Sequence, residues 1–155
     1  MTKPTWKYRG AAIQLLGLTL LLIGALQLGT ELASWFTSGF MMHLGRLFWG
    51  LLMASAGAEL FALRESGRKR ALFIMVMVLL ALALSTVLAV RYEAYGAGVR
   101  LFGYEYRARS LVEFLLIMAI AAVVPVTVIL FLSSRRSRAL LQAKTKSEGE
   151  QQGAG

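Results

Sequence analysis

The sequence has no cysteine and no aspartate, a single histidine and two prolines. Without cysteine there are no disulfides, no thiolate chemistry and no Cys-ligated metal. The one histidine, His43, is too few for a bis-histidine haem, and zinc normally takes three or four protein ligands. No cofactor or metal is therefore expected. A histidine-based triad would lack its aspartate and need glutamate in its place, so an enzyme is not expected either. Acidic residues are scarce as a class: eight, all glutamate, stand against 17 Lys and Arg, for a formal net charge of +9.

What the chain has in excess is apolar sequence. Apolar residues make up 57% of the 155, and the mean hydropathy is +0.64. A soluble domain carries roughly 45–50% even when glycine is counted. The excess is gathered into four runs, over residues 11–28, 47–63, 71–90 and 111–132. A water-soluble core of this size could not bury them, whereas a bilayer can act as their solvent. The 71–90 run, at about 1.5 Å per residue, matches the roughly 30 Å hydrocarbon core. Lipid offers no partner to free backbone groups, so each run is expected to be helical.

The expected fold is an all-α integral membrane protein, with four transmembrane helices over about 11–36, 46–64, 71–90 and 111–132. These form a single membrane domain over 1–155, with a basic tail over 133–155 that becomes disordered beyond about Lys146. Leu140 and Leu141 can extend the fourth helix along the interface. The first run is longer than the roughly 7–15 residues of a cleavable signal core, and reads as an anchor that stays. Segment 64–70 reads as a tight basic turn, and 37–45 as a mildly apolar loop. The 91–110 connection is longer and rich in Tyr and Arg, with a small hairpin possible over 99–107.

Orientation follows from the basic residues. Twelve of the 17 lie in the N-terminal segment, the 64–70 turn and the tail; the others are Arg46, Arg91, Arg100, Arg107 and Arg109. The positive-inside rule places both termini in the cytoplasm. A pI near 10.5 would suggest nucleic acid in a soluble protein. Here the bases flank apolar runs, so anionic lipid headgroups explain them better and no nucleic acid is expected.

Several polar and small residues interrupt the runs. Gly10, Gln14, Gly17, Gly24, Gln27 and Glu31 recur at helical spacing on one face of the first helix. Gly50, Ala54, Gly57 and Ala58 give the second helix a matching surface. Small residues let backbones approach, and amides bond across the contact. The face either packs within the bundle or docks on another membrane protein. Glu59 either snorkels to Arg64 or Arg68, or acts as a proton- or cation-binding carboxylate. Glu31, Arg46, Arg91 and Glu113 sit near the outer boundary, as an ion-pair network or as the lining of an anion or headgroup pocket. Tyr95, Arg100, Tyr104, Arg107 and Arg109 make the outer loop an aromatic belt on headgroups or a partner-binding loop. Pro125 is expected to bend the fourth helix and free a carbonyl near Ala121.

In size, four helices, an acid in helix two and a basic C-terminal end, the layout is similar to phosphate-starvation-inducible PsiE-type membrane proteins. That resemblance implies a stress-related membrane protein, and it transfers no site residue. Taken together, the residues favour a non-catalytic accessory or scaffold subunit of a bacterial plasma (inner) membrane complex, partnered by another membrane protein or a second copy. The alternative is a small proton-coupled transporter or channel using Glu59. An enzyme acting on lipid or quinone stands third.

Overall fold

A computed structural model describes residues 4–38, 44–93, 99–101, 104–106 and 108–152. The described residues are helical apart from one short hairpin and the connecting turns. The elements are α1 (Pro4–Ser38), α2 (Leu44–Phe61), α3 (Glu65–Arg91), β1 (Val99–Leu101), β2 (Tyr104–Tyr106), α4 (Leu111–Ser133) and α5 (Arg135–Gln152). Among the described residues, three stretches are long and apolar enough to cross a membrane: Tyr8–Leu32 within α1, Glu65–Arg91 and Leu111–Ser133. This is the architecture of a membrane protein. Helix α2, at 18 residues, carries Arg46 and Glu59 and is not among the three. The chain divides into two compact units, one of residues 1–74 with 132–155 and the other of residues 75–131.

The first unit is built on α1 and α2, packed against each other. Its buried apolar side chains include Ile13 and Leu20 of α1, Ala56 and Leu60 of α2, Ala71 and Ile74 of α3, and Leu141 of α5. Helix α2 ends in a tight reversal. The amide of Arg64 donates to the carbonyl of Glu59 at 2.8 Å, and that of Leu63 donates to Leu60 at 2.9 Å. These paired bonds close a Schellman motif. Its left-handed position is taken by Leu63, at φ 59°, where a β-carbon crowds the following carbonyl and glycine is the usual occupant.

The reversal moves the expected boundary between the second and third helices. Residues 65–70, read from sequence as part of the turn, are the opening turns of α3. Glu65 sits where a carboxylate complements the helix dipole and binds Arg68 three residues on, with Arg68 Nε 3.0 Å from Glu65 Oε1. Gly67 lies against the end of α2: a β-carbon there would sit 2.5 Å from the Leu60 amide nitrogen.

The tail also differs from expectation. Leu140 and Leu141 do not prolong α4; they belong to a separate helix. Ser134 interrupts the chain and caps α5, its Oγ accepting from the Ser137 amide at 3.4 Å. Helix α5 continues to Gln152, past the point where disorder was expected. Its Ala, Gln, Lys and Glu residues are good helix formers.

The second unit holds most of α3 and α4 with the hairpin between them. Phe114 and Met118 of α4, with Ala108 before it, form a buried cluster on which Leu82 and Ala89 of α3 pack. The strands pair antiparallel, with Arg100 opposite Glu105 and Leu101 opposite Tyr104. Helix α4 begins at a variant of the capping box, in which the glutamate reaches one residue further back than the cap. Ser110 Oγ accepts from the Glu113 amide at 3.2 Å, and Glu113 Oε2 accepts from the Arg109 amide at 2.7 Å. The helix runs on through Pro125, which has no amide hydrogen to give to Ala121; both residues are buried.

Candidate functional site

The polar and small residues of the apolar runs converge where α1 meets α2. The helices run antiparallel and touch backbone to backbone. A β-carbon on Gly17 would lie 2.5 Å from the Phe61 amide nitrogen and 2.8 Å from the Gly57 carbonyl. One on Gly24 would lie 2.7 Å from the Gly50 carbonyl, and one on Gly57 would lie 2.6 Å from the Gly17 carbonyl. No real β-carbon tolerates such distances, so glycine is required at each position. Gly50 is less confined, its nearest neighbour being Leu28 Cγ at 3.0 Å. Ala54 supplies part of the backbone that faces Gly24. In lipid, association depends on such close packing, because lipid tails are as apolar as the side chains themselves.

Two amides of α1 bracket this contact. Gln14 Nε2 donates to the Phe61 carbonyl at 3.3 Å. That carbonyl belongs to the last residue of α2, where intrahelical donors run out. Gln27 Nε2 donates to the Arg46 carbonyl at 3.3 Å, near the other end of α2. Beyond it, Arg46 Nη1 lies 3.5 Å from Glu31 Oε1; Glu31 is largely buried and Arg46 mostly exposed. Gly10, placed from sequence on the same face, lies about one turn before Gln14 and serves a different neighbour: a β-carbon there would reach Leu140 Cδ1 of α5 at 3.9 Å.

Glu59 pairs with a different base from those expected. Arg70 Nη1 lies 2.9 Å from Glu59 Oε1, whereas Arg68 is bound by Glu65. The reason is the early start of α3, which carries residue 70 into a helix instead of leaving it in a turn. Glu59 Oε2 is buried and, among the described residues, has no hydrogen-bond partner.

The expected four-member boundary network resolves into separate jobs. Glu31 and Arg46 form the pair just described. Glu113 is engaged as the cap of α4. Arg91 is exposed in the last turn of α3, where a cation complements the helix dipole. Of the outer-loop residues, Arg100 and Tyr104 lie in the hairpin strands and Arg109 is exposed before α4. Tyr95, Arg107 and His43 lie outside the described residues.

Sequence reasoning missed a second polar contact. Arg9 Nη1 donates to Ser134 Oγ at 3.1 Å, and that hydroxyl donates to Ser137 Oγ at 2.9 Å. Ser137 is fully buried. The only sequence signal was a pair of serines ahead of an Arg-rich segment, which resembles any helix cap. Among the described residues, no group of three or more His, Cys, Asp or Glu could hold a metal ion. Comparison of the chain with known protein families, with curated proteins and with solved structures finds no match.

The geometry predicts how this contact fails. Replacing Gly17 and Gly24 together by Leu forces α1 from α2, and overpacking of this kind costs about 1–3 kcal/mol per site. Gln14→Leu removes one interhelical bond and costs only about 0.6 kcal/mol. Leu18 and Leu22 are exposed on another side, and conservative changes there leave stability unchanged. Unfolding of the purified protein in detergent measures all three; a double-glycine variant as stable as wild type contradicts the contact.

Proposed function

We propose that the chain is a four-span, non-catalytic protein of a bacterial plasma membrane, acting as an accessory or scaffold subunit with both termini in the cytoplasm. The fourth span is α2. The observation that carries the reading is the pair of bonds from Gln14 and Gln27 to the two ends of α2. Both glutamines lie inside the Tyr8–Leu32 stretch, so a helix joined to it at both points passes through the same depth. At about 1.5 Å per residue the 18 residues of α2 cover about 27 Å, with Arg46 and Glu59 near its boundaries. The bond between Arg9 and Ser134 supports an even number of crossings. It joins the start of α1 to the residue after α4, and two positions on one side of a bilayer are separated by an even number of spans. The excess of bases at these same positions favours the cytoplasmic side.

The non-catalytic part of the reading rests on how the polar groups along the α1–α2 contact are used. Gln14, Gln27 and Glu31 are engaged with neighbouring helices. Groups used in this way fix helix register and turn no chemistry over. A chain so organised suits a compact unit on which another membrane protein, or a second copy, assembles.

Reporter fusions test the topology. Fusions at the N-terminus, within 64–70 and after Arg138 report cytoplasm, and one within 91–110 reports the opposite side. A three-span chain would place the termini on opposite sides and refute the assignment of α2. Native mass after mild extraction tests the role. The expected result is an assembly heavier than one chain; a bare monomer with no co-purifying subunit refutes the scaffold.

One observation favours a second reading, a proton-coupled transporter using Glu59. Its Oε1 is held by Arg70 while its Oε2 is buried without a hydrogen-bond partner among the described residues. A proton or a small cation would relieve that oxygen. Under this reading Glu59→Gln abolishes pH-driven flux in liposomes. Under the scaffold reading liposomes show no pH-driven flux, and Glu59→Gln leaves assembly intact.

A further inference from the structure

One end of the first unit gathers base far in excess of acid. The bond from Arg9 to Ser134 brings the start of α5 to the start of α1. The bond from Gln14 to Phe61 brings the end of α2 to the same region of α1, and Gly67 packs the opening of α3 on the end of α2. Around this end stand Arg64, Lys69, Arg135, Arg136 and Arg138, all exposed. The two carboxylates there, Glu59 and Glu65, are held by Arg70 and Arg68. Among the described residues, no carboxylate pairs with Lys69, Arg135, Arg136 or Arg138.

Helix α5 is arranged to present this charge. Ser137 and Leu141 are buried, and Leu140 meets Gly10 of α1. At 3.6 residues per turn, Arg135, Arg138 and Gln142 fall on the opposite face, and all three are exposed. Directly beside the basic end, the α1 surface is amphipathic and then apolar, with Tyr8 77% and Leu15 65% exposed. A ligand that fits both features has a negative head and an apolar body.

We propose that this end of the unit is a binding site for anionic phospholipid, with Arg135, Arg136 and Arg138 of α5 contacting the phosphate and the exposed side chains of α1 contacting the acyl chains. The site rests on the membrane reading above. It couples the composition of the leaflet to the seating of α5, because the helix that holds the phosphate is the one that meets α1 through Leu140 and through the Arg9–Ser134 bond at its start. A free polyanion satisfies the bases and leaves the adjoining apolar surface uncovered, so lipid is the favoured occupant.

The test uses the full chain in vesicles of phosphatidylcholine, alone or mixed with phosphatidylglycerol, and reads retained lipid by native mass and melting temperature by fluorescence. Wild type retains phosphatidylglycerol in preference to phosphatidylcholine and melts higher in its presence. Losing one base near the surface weakens binding about fivefold, so R135Q/R136Q/R138Q weakens retention on the order of a hundredfold. Arg91→Gln leaves it unchanged. The single variants Arg136→Gln and Arg138→Gln guard against misfolding, each losing about fivefold while melting like wild type in phosphatidylcholine. The site is refuted if the triple variant keeps the wild-type lipid preference, if wild type shows none, or if a short DNA duplex displaces the lipid. Resistance to alkaline extraction separates the two levels. A chain that stays in phosphatidylcholine vesicles without preferring phosphatidylglycerol loses only the lipid site, whereas a chain stripped from them loses the membrane reading as well.

Discussion

The α1–α2 contact is the interaction on which the first unit depends. In lipid there is no water to expel, so apolar side chains alone give two helices no reason to pair. Proximity has to come from shape, and here shape means the absence of side chains at Gly17, Gly24 and Gly57. With the backbones in contact, the amides of Gln14 and Gln27 come within reach of carbonyls on α2. The Glu31–Arg46 pair closes one end of the seam. At the other end the reversal at Leu63 turns the chain into α3, and Glu59 meets Arg70. The two amide contacts follow from the packing, since Gln14 and Gln27 reach α2 only because the helices are close.

The second unit is held in another way. Its core is a small cluster about Phe114 and Met118, and most of the remaining side chains of α3 and α4 point outward, among them Leu80, Leu84, Val87, Leu116, Ile120 and Val123. Such an outward apolar surface is what a bilayer covers. The ends of its helices are fixed by local means, with Ser110 and Glu113 capping α4 and Arg91 closing α3.

Parts of this were legible in the sequence for physical reasons. Glycines and amides stand out at helical spacing against an apolar background, so the surfaces of α1 and α2 could be named before any partner was known. Apolar length alone marked the cores of α1, α3 and α4. The boundaries were harder. A leucine in the left-handed position gives no signal of a turn, since that place is usually held by glycine, so the start of α3 was put too late. Glu59 was consequently matched to the wrong bases. The break between α4 and α5 falls at Ser134, whose local cap is readable in the sequence but whose bond to Arg9, 125 residues away, is not. The Ser110-x-x-Glu113 spacing was readable as a capping box, yet the charge of Glu113 drew attention to ion pairing instead.

The separation of contacts along the chain sets an order of assembly. Gln27 and Arg46 are 19 residues apart, so the α1–α2 seam is available as soon as the second helix emerges, and closing so short a loop costs little entropy. The bond between Arg9 and Ser134 spans 125 residues and has to wait for α4 to be made. N-terminal segments fold first during synthesis. The early seam therefore holds α1 in place, with its first turns uncovered, through the making of α3 and α4. The docking of α5 onto those turns is the closing step, and an occupied Arg9–Ser134 contact marks a chain whose last helix has reached the start of its first.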